Sequence, residues 1–215
     1  MIKKKLFLIK KDLFGSVMYL LYEYKINILS IFTTIFSYFY MFINGIKYGK
    51  SNIFYGTPIL RRYPISSISI GSNCRFRSDK LSNIIGIARP CTLATFNINA
   101  KIDIGDNSGF SGTIICAANH ITIGSKVLCG ANTLITDFDW HHIDPGKRHM
   151  SDGVSLPIII EDNVWLGINV IVLKGTKIGK NSIIGANSIV TSDIPSNVVA
   201  AGNPCIVINN LDPKE

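Results

Sequence analysis

This sequence has little charge, little acid and no closely paired cysteines. Charged residues make up 17% of its 215 residues, and 14 acidic residues stand against 22 basic ones. The five cysteines form no Cys-x-x-Cys pair, which argues against a disulfide framework or a paired-cysteine zinc site. We expect small core thiols in a reducing compartment. Lysine exceeds arginine and no recognition motif is visible, so nucleic acid is disfavoured as a partner.

The N-terminus also lacks the long apolar run of a secretory signal, because only four residues separate its lysine clusters. By contrast, residues 26–46 contain no charge and are long enough to span a bilayer. Polar residues recur within this stretch at helical spacing and form a mild polar stripe. We favour a helix that lies on the membrane face or on the domain over a spanning helix. The net charge of +8 suits an anionic partner such as a membrane face, an acidic polysaccharide or coenzyme A phosphates.

The most regular feature is a six-residue repeat that runs from Ile160 to Pro195 without insertion or deletion. An apolar residue opens each unit, and a small or branched residue follows four positions later. The position before this inner corner holds residue types that tolerate positive φ: Asn163, Asn169, Gly175, Asn181, Asn187 and Asp193. Six uninterrupted units predict a three-sided parallel β-helix rather than evenly spaced strands of a sandwich.

The repeat is ragged between Lys47 and about Lys101, which indicates irregular capping coils. Regular coils resume at Ile98, slip by one residue near His120, and place Cys116 and Cys129 on inward slots. The outward slots are expected to form three columns: Asp103, Thr122, Ile159 and Lys177; Gly109, Leu128, Trp165 and Ile183; Ile115, Leu134, Ile171 and Ile189. Two of these columns are apolar, so the sequence predicts self-association.

Three stretches together resemble a known family over about residues 98 to 208: the Ile-Gly-x-x-Ser-x units, the run Asp162 to Gly167, and the ending Val199 to Pro204. They are similar to the hexapeptide-repeat acyltransferases, in the branch of galactoside, maltose and polysaccharide O-acetyltransferases. The resemblance implies a left-handed parallel β-helix, a homotrimer with active sites between protomers, and acetyl-CoA as co-substrate without a metal. The expected fold class is all-β, with an α-helical hydrophobic N-terminal segment.

The repeat breaks between Thr136 and Pro157 for an excursion, and long loops on a regular scaffold are frequent sites of function. Its string His141 to Pro145 matches the family's catalytic segment, which implies that His141 is the general base. The resemblance places Trp165 beside the acetyl-transfer site and Ser111 at the acceptor. Asp139 or Asp137 is a candidate to orient the imidazole. The expected acceptor-binding set is Ser111, Asp139, Trp140 and Arg148.

For the donor, the family positions that match are small residues at coil edges, where pantetheine can lie along the backbone: Gly167, Ala186, Thr191 and Ser192. After Gly202 to Pro204 the family usually has basic residues that meet the nucleotide phosphates, whereas this chain has Ile206 and Asn209. Lys177, with Lys174 and Lys180, is the substitute expected from adjacent coils.

We expect a basic, hydrophobic helical segment at 1–45, a β-helix acyltransferase domain at 46–208 with its active-site loop at 137–157, and a tail at 209–215. The expected function is O-acetylation of a sugar hydroxyl in a capsular, exo- or lipopolysaccharide or its lipid-linked precursor. The expected place is the cytoplasmic face of a bacterial plasma membrane, reached through residues 1–45.

Three alternatives stay open. The first is acetylation of a small molecule such as a nucleotide sugar, serine or an antibiotic. The second is a zinc-dependent hydratase on the same scaffold, although the four histidines lack the expected His-x₄-His pair. The third is a non-catalytic solenoid, which leaves the excursion at Trp140 and His141 unexplained.

Overall fold

The computed structural model describes residues 10–149 and 153–211, which form one long helix followed by a stack of short strands. Helix α1 spans Leu13–Ile43, and its N-terminus is capped by Asp12, whose carboxylate accepts a hydrogen bond from the Gly15 amide at 2.8 Å. A short 3₁₀ helix spans Lys80–Ser82. The strands are β1 Lys47–Tyr48, β2 Ile53–Tyr55, β3 Ile59–Arg61, β4 Ser67–Ile70, β5 Arg75–Arg77, β6 Thr92–Thr95, β7 Lys101–Ile104, β8 Gly109–Ser111, β9 Ile114–Ala117, β10 His120–Ile123, β11 Leu128–Cys129, β12 Leu134–Thr136, β13 Ile158–Ile160, β14 Trp165–Leu166, β15 Ile171–Leu173, β16 Lys177–Ile178, β17 Ile183–Ile184, β18 Ile189–Val190, β19 Val198–Ala201 and β20 Ile206–Asn210.

The strands form three sheets because each strand up to β15 pairs with the strand three places on. Sheet A has the order β1-β4-β7-β10-β13-β16, and sheet C contains β3, β6, β9, β12, β15 and β18. Sheet B runs β2-β5-β8-β11-β14-β17-β19-β20. All pairs between these strands are parallel except β19 with β20, which closes the C-terminal end as a hairpin. Each set of three strands is one rung of a triangular prism, which confirms the predicted parallel β-helix.

The prism interior is filled by the residues that open the six-residue units. Ile160, Leu166, Val172, Ile178, Ile184 and Val190 are all fully buried. Towards the N-terminal end the inner column of sheet B changes to aromatic residues, where Phe54, Phe76 and Phe110 stack with successive ring centroids 4.9 Å apart. The stacked rings continue the core across the capping rungs, whose sequence is irregular.

The corners use left-handed backbone at most of the predicted positions. Asn163, Asn169, Gly175, Asn181 and Asn187 have φ between 55° and 73°. The prediction was wrong at Asp193, because the last corner between sheets C and A is two residues shorter than the one before it. Ile194, which pairs with Ile178, follows Val190 after only four residues, and the Asp193 carboxylate accepts the Lys177 amide at 2.7 Å.

The expected register was also wrong around β9. Ile114 rather than Ile115 lies in the outward column with Leu134 and Ile171, while Ile115 is buried and pairs with Ile135. The cause is a tight corner between β8 and β9, where Gly112 adopts φ of 55° and one residue is saved. Cys116 is therefore not on an inward slot: it pairs in register with Thr136 and is buried at the base of the excursion.

Helix α1 lies across the open N-terminal end of the prism. It contacts β1 and β2 and forms hydrogen bonds to the edges of β2 and β3. An exposed strand edge would otherwise present unpaired backbone groups, so α1 acts as the cap of the first rung. By length and composition α1 is also long and apolar enough to cross a membrane.

Candidate active site

The excursion leaves the prism at the corner between sheets C and A, and its two ends are held together. The Leu156 amide donates to the Asp137 carbonyl at 2.9 Å, and the Asp139 amide donates to the Val154 carbonyl at 2.9 Å. The Gly175 amide of the next rung donates to the Leu156 carbonyl at 3.1 Å. The base of the loop is therefore a fixed extension of the scaffold.

Asp137 is buried within this base. Its two carboxylate oxygens accept the amides of Ala118 and Asn119 at 2.7 and 2.9 Å. Burial raises the pKa of Asp137, although these amide hydrogen bonds oppose that effect. The Cys116 thiol lies nearby, and burial together with the Asp137 charge raises its pKa to about 11. Asp137 therefore joins two rungs at the base of the loop.

Asp139 is the second carboxylate that sequence reasoning offered as an orienting group. Its Oδ1 accepts from the Lys174 ammonium at 2.7 Å, and both side chains are about one quarter exposed. Its Oδ2 is buried without a hydrogen-bond partner. A buried carboxylate oxygen that lacks a donor can accept one from an incoming group, such as a hydroxyl.

A cavity of about 230 Å³ is lined in part by Asp139. Three aromatic rings form one side, with centroids 4.7 to 5.2 Å apart, namely Phe96, Phe138 and Trp140. The polar side chains of Asn97, Asp139 and Ser155 also line it. Aromatic faces next to a few polar groups suit a ligand that has apolar faces and hydroxyl edges. Phe96 was not predicted from the sequence, because it lies outside the excursion and meets Phe138 and Trp140 only through the stacking of rungs.

The histidines differ in how they are held. His141 is exposed at the outer part of the excursion, next to Trp140. His142 is half-buried, and its Nδ1 accepts the Asp144 amide at 3.0 Å, which stabilises the turn. Arg148 donates to the Ile143 carbonyl at 3.2 Å, so it supports the same turn. His141 thus projects from a turn that its neighbours organise.

Trp165 lies on a different side of the prism. It is half exposed on β14 of sheet B, between Leu128 and Ile183 in register. Ser111 ends β8 of the same sheet, is nearly buried, and accepts a hydrogen bond from the Asn83 amide group at 3.1 Å. Neither residue is on the corner from which the excursion departs.

The predicted donor-binding residues occupy two corners. Gly167 and Ala186 stack at the corner between sheets B and C, where a Cβ on Gly167 would lie 2.7 Å from the Ala186 nitrogen. Only glycine permits this approach of one corner to the next. Thr191 and Ser192 are exposed at the corner between sheets C and A, two rungs beyond the base of the excursion.

Lys177 lies on sheet A and is engaged by Glu161, with 2.7 Å between Nζ and Oε1. Its hydrogen bond lowers the pKa of Glu161, and the carboxylate raises the pKa of Lys177 in turn. The remaining histidine, His120, lies on the same sheet with its Nε2 2.8 Å from Asp103. Within residues 10–149 and 153–211, no group of three or more His, Cys, Asp or Glu side chains could hold a metal ion.

Apart from Lys177 on sheet A, the candidate residues fall into two groups within one chain. The excursion side, at the corner of sheets C and A, carries Asp139, Trp140, His141, Arg148, Thr191 and Ser192. The sheet B side carries Ser111 and Trp165, with Gly167 and Ala186 at its edge.

Comparison with known proteins agrees with this architecture. The family model "Bacterial transferase hexapeptide (six repeats)" matches residues 157–192. The chain is 39% identical over 146 residues to galactoside O-acetyltransferase of Lactococcus lactis, a match that covers 66% of this chain and 64% of that protein. It thus spans less than two thirds of the length of that curated relative.

Two solved structures are also similar. A maltose O-acetyltransferase from Clostridium difficile 630 is 30% identical, with 76% of this chain and 71% of that chain covered and a TM-score of 0.48. A variant of the N-acyltransferase AntD from Bacillus cereus has a TM-score of 0.58 over 83% of this chain and 90% of that chain. At 18% identity, the second likeness concerns the fold alone. The chain belongs to the hexapeptide-repeat acyltransferase family, and its fold is the left-handed parallel β-helix of that family.

Proposed function

We propose that this protein is an acetyl-CoA-dependent O-acetyltransferase that acts on a sugar hydroxyl. The observation that carries the proposal is the excursion, which carries the exposed His141 directly after Trp140, one of the residues that line a cavity with aromatic and polar character. The likeness to a galactoside O-acetyltransferase supports the same activity. A non-catalytic solenoid would have no use for a histidine-bearing loop that is anchored so firmly to two rungs.

In the proposed reaction the His141 imidazole takes the proton of the acceptor hydroxyl as general base. The resulting alkoxide attacks the thioester carbonyl, the carbon–sulfur bond breaks, and coenzyme A leaves as the thiolate. Backbone amides stabilise the oxyanion. Asp139 lines the cavity and is the carboxylate assigned to a second hydroxyl of the acceptor, while Lys174 fixes its side chain through Oδ1.

We propose a homotrimer whose sites lie between protomers. The two groups of candidate residues lie on different sides of one prism, so His141 of one protomer can approach Trp165 of the next. Leu128, Trp165 and Ile159 are between 42% and 54% exposed on flat sheet faces. An apolar surface of this kind is usually covered by association.

For the donor, we assign the corner of sheets B and C, where Gly167 and Ala186 present little side chain and an extended pantetheine arm can lie along the backbone. Of the three lysines expected to meet the phosphates, Lys174 and Lys177 are already paired with carboxylates. Lys180 is exposed and its amide, not its ammonium, is held by Glu161 at 2.9 Å. Lys180 is therefore the favoured contact among the three.

We propose a capsular, exo- or lipopolysaccharide, or its lipid-linked precursor, as the acceptor. The cavity at the excursion suits a sugar ring, whose faces are apolar and whose edges carry hydroxyls. Acetylation of a small molecule such as a nucleotide sugar, serine or an antibiotic is the second candidate. Rates measured with a panel of glycans and of small acceptors distinguish the two.

The decisive test uses labelled acetyl-CoA, a galactoside and glycan acceptors, and two histidine variants. His141→Ala is expected to lower the rate by about 10² to 10⁴ because the general base is lost. His149→Ala is the matched control, because it removes an exposed imidazole of the same excursion and leaves the hydrogen bond between His142 and the Asp144 amide in place. Equal rates for His141→Ala and the parent protein would remove His141 from the mechanism.

A further inference from the structure

Helix α1 has an inverted polarity, because its polar side faces the protein. The Thr33 hydroxyl donates to the Phe54 carbonyl at 2.6 Å, and the Phe54 amide donates to the Thr34 hydroxyl at 2.9 Å. The Tyr40 hydroxyl donates to the Leu60 carbonyl at 3.1 Å. These hydrogen bonds satisfy backbone groups at the edges of β2 and β3. The polar side chains of α1 therefore cap the first rung and do not face solvent.

The opposite side of α1 is apolar and faces away from the protein. Phe32, Phe39 and Phe42 are 66%, 61% and 72% exposed. A surface helix of a globular protein normally shows the reverse arrangement, with its apolar stripe on the core. The hydrogen bonds of the other side prevent α1 from rotating to bury these rings.

A nearby loop extends this apolar face. The Tyr22 hydroxyl of α1 donates to the Leu81 carbonyl, which ties the loop between β5 and β6 to the helix. Ile84 and Ile85 at the tip of that loop are 99% and 61% exposed. Large apolar side chains are thus exposed both on α1 and on the loop that is bonded to it, and exposed apolar surface on this scale calls for a partner.

Charge identifies the partner. Residues 1–65 contain 10 Lys and Arg against 2 Asp and Glu, a net charge of +8, whereas residues 66–215 contain 12 of each and are neutral. Residues 10–65, the part of this segment that the structure describes, form the N-terminal end of the β-helix and carry 7 Lys and Arg against 2 Asp and Glu. A second copy docked end to end would meet an equal positive charge, while an anionic bilayer offers both hydrocarbon and negative charge.

We propose that the N-terminal end of the β-helix docks on an anionic membrane, with α1 lying in the plane of the interface. Because α1 bonds to strands of two different sheets, it lies across the prism end. A helix held in this way cannot stand upright in the bilayer without drawing the first rung into it. The 31-residue helix thus offers an anchor about 46 Å long parallel to the surface.

The main test is co-sedimentation of the full-length protein with vesicles of phosphatidylcholine and phosphatidylglycerol in a 7:3 ratio. The variant Phe32→Gln with Phe39→Gln and Phe42→Gln is expected to bind about 1,000-fold more weakly or worse, since each buried ring contributes about tenfold or more. The matched control replaces three exposed apolar residues at the far end, Ile206, Val207 and Ile208, by Gln and is expected to bind like the parent. Substitutions are preferable to deletion of α1, which would uncover the first rung.

Charge is tested separately. Replacing the exposed Lys47, Lys50 and Arg61 by Gln is expected to weaken binding by about 100-fold, because each charge near an anionic surface contributes about fivefold. The control with the same net charge replaces Lys101, Lys126 and Lys180 and is expected to leave vesicle binding unchanged. Vesicles of phosphatidylcholine alone are expected to bind the parent weakly.

Orientation follows from spin labels at Leu20→Cys, Ile31→Cys and Phe42→Cys, since all five native thiols are buried. Similar immersion depths at the three sites are expected for a helix in the interface. A progression of depths through the bilayer would show a spanning helix and overturn the proposal. So would failure of the parent to sediment, or an end-to-end pair of particles that the phenylalanine variant abolishes.

Discussion

At the scale of single residues, the two aspartates that flank Phe138 have separate tasks that their sequence positions do not reveal. Asp137 accepts two backbone amides and is buried, so it organises the base of the excursion. Asp139 lines the cavity, and one of its oxygens pairs with Lys174 while the other is buried without a partner. The sequence offered both as orienting groups for His141, because spacing along a loop does not tell which carboxylate folds inward.

The five cysteines carry a prediction about reactivity. All are free and buried, and burial raises the pKa of each described thiol, that of Cys116 to about 11. Below that pH the thiolate, which is the reactive form, is scarce. We expect 5,5′-dithiobis(2-nitrobenzoate) at pH 8 to modify no thiol of the folded protein within minutes, and all five after unfolding in guanidinium. A rapidly modified cysteine in the folded protein would contradict the burial described here.

At the scale of elements, the six-residue repeat predicted the interior well, since every unit-opening side chain from Ile160 to Val190 is buried. Prediction failed where a corner changes length, as at Gly112 and after Val190. At these corners the backbone turns within fewer residues, so the strand that follows pairs in a different register. The pattern of apolar residues in the sequence does not reveal this change. The packing direction of α1 was also left open, because its polar stripe could face water or, as found, the edge of the first rung.

The asparagine corners lead to a second prediction, at Asn181. Its backbone has φ of 63°, and its side chain joins Asn163 and Asn197 in a ladder with spacings of 3.0 and 2.7 Å. Asn181→Gly removes the side-chain ladder, but glycine adopts positive φ without steric cost. Asn181→Ala removes the same ladder and in addition places a Cβ in the unfavourable left-handed conformation. We expect Ala to lower the free energy of unfolding by about 1 to 2 kcal/mol more than Gly, measured by urea denaturation. Equal losses would show that the ladder alone matters.

At the scale of the whole molecule, the division of candidate residues between two sides of the prism predicts that activity requires association. Leu128 is 54% exposed beside Trp165, so Leu128→Glu would place a charge in the proposed protomer contact. We expect monomers by light scattering and a fall in acetyl transfer of about 100-fold or more, because the two groups are no longer held together. Ile206→Glu, at the C-terminal hairpin, is the control. A trimeric, active Leu128→Glu protein would contradict this arrangement.

The distance of the proposed acetyl-transfer site from the proposed membrane surface leads to a prediction about the acceptor. It rests on both the proposed function and the proposed membrane docking of α1. Trp165 lies on the fifth rung and α1 covers the first, so four spacings of about 4.8 Å separate Trp165 from the capped end by roughly 19 Å. The headgroup layer is only about 5 to 8 Å thick. A sugar attached directly to a lipid therefore cannot reach the site of a docked enzyme, whereas an outer sugar of a lipid-linked oligosaccharide can.

In vesicles, we expect acetyl transfer to a lipid-linked oligosaccharide but at least tenfold slower transfer to a lipid that carries one sugar of the same kind. The two acceptors should become similar once both are released from their lipids, because the height then no longer selects between them. The variant with Gln at Phe32, Phe39 and Phe42 serves to separate the causes: it should lose rate on the vesicle-bound oligosaccharide while its rate on free acceptors is unchanged. Equal rates on both vesicle-bound acceptors would mean that the enzyme does not hold its site at this distance from the bilayer, even if it acetylates sugars and binds lipid.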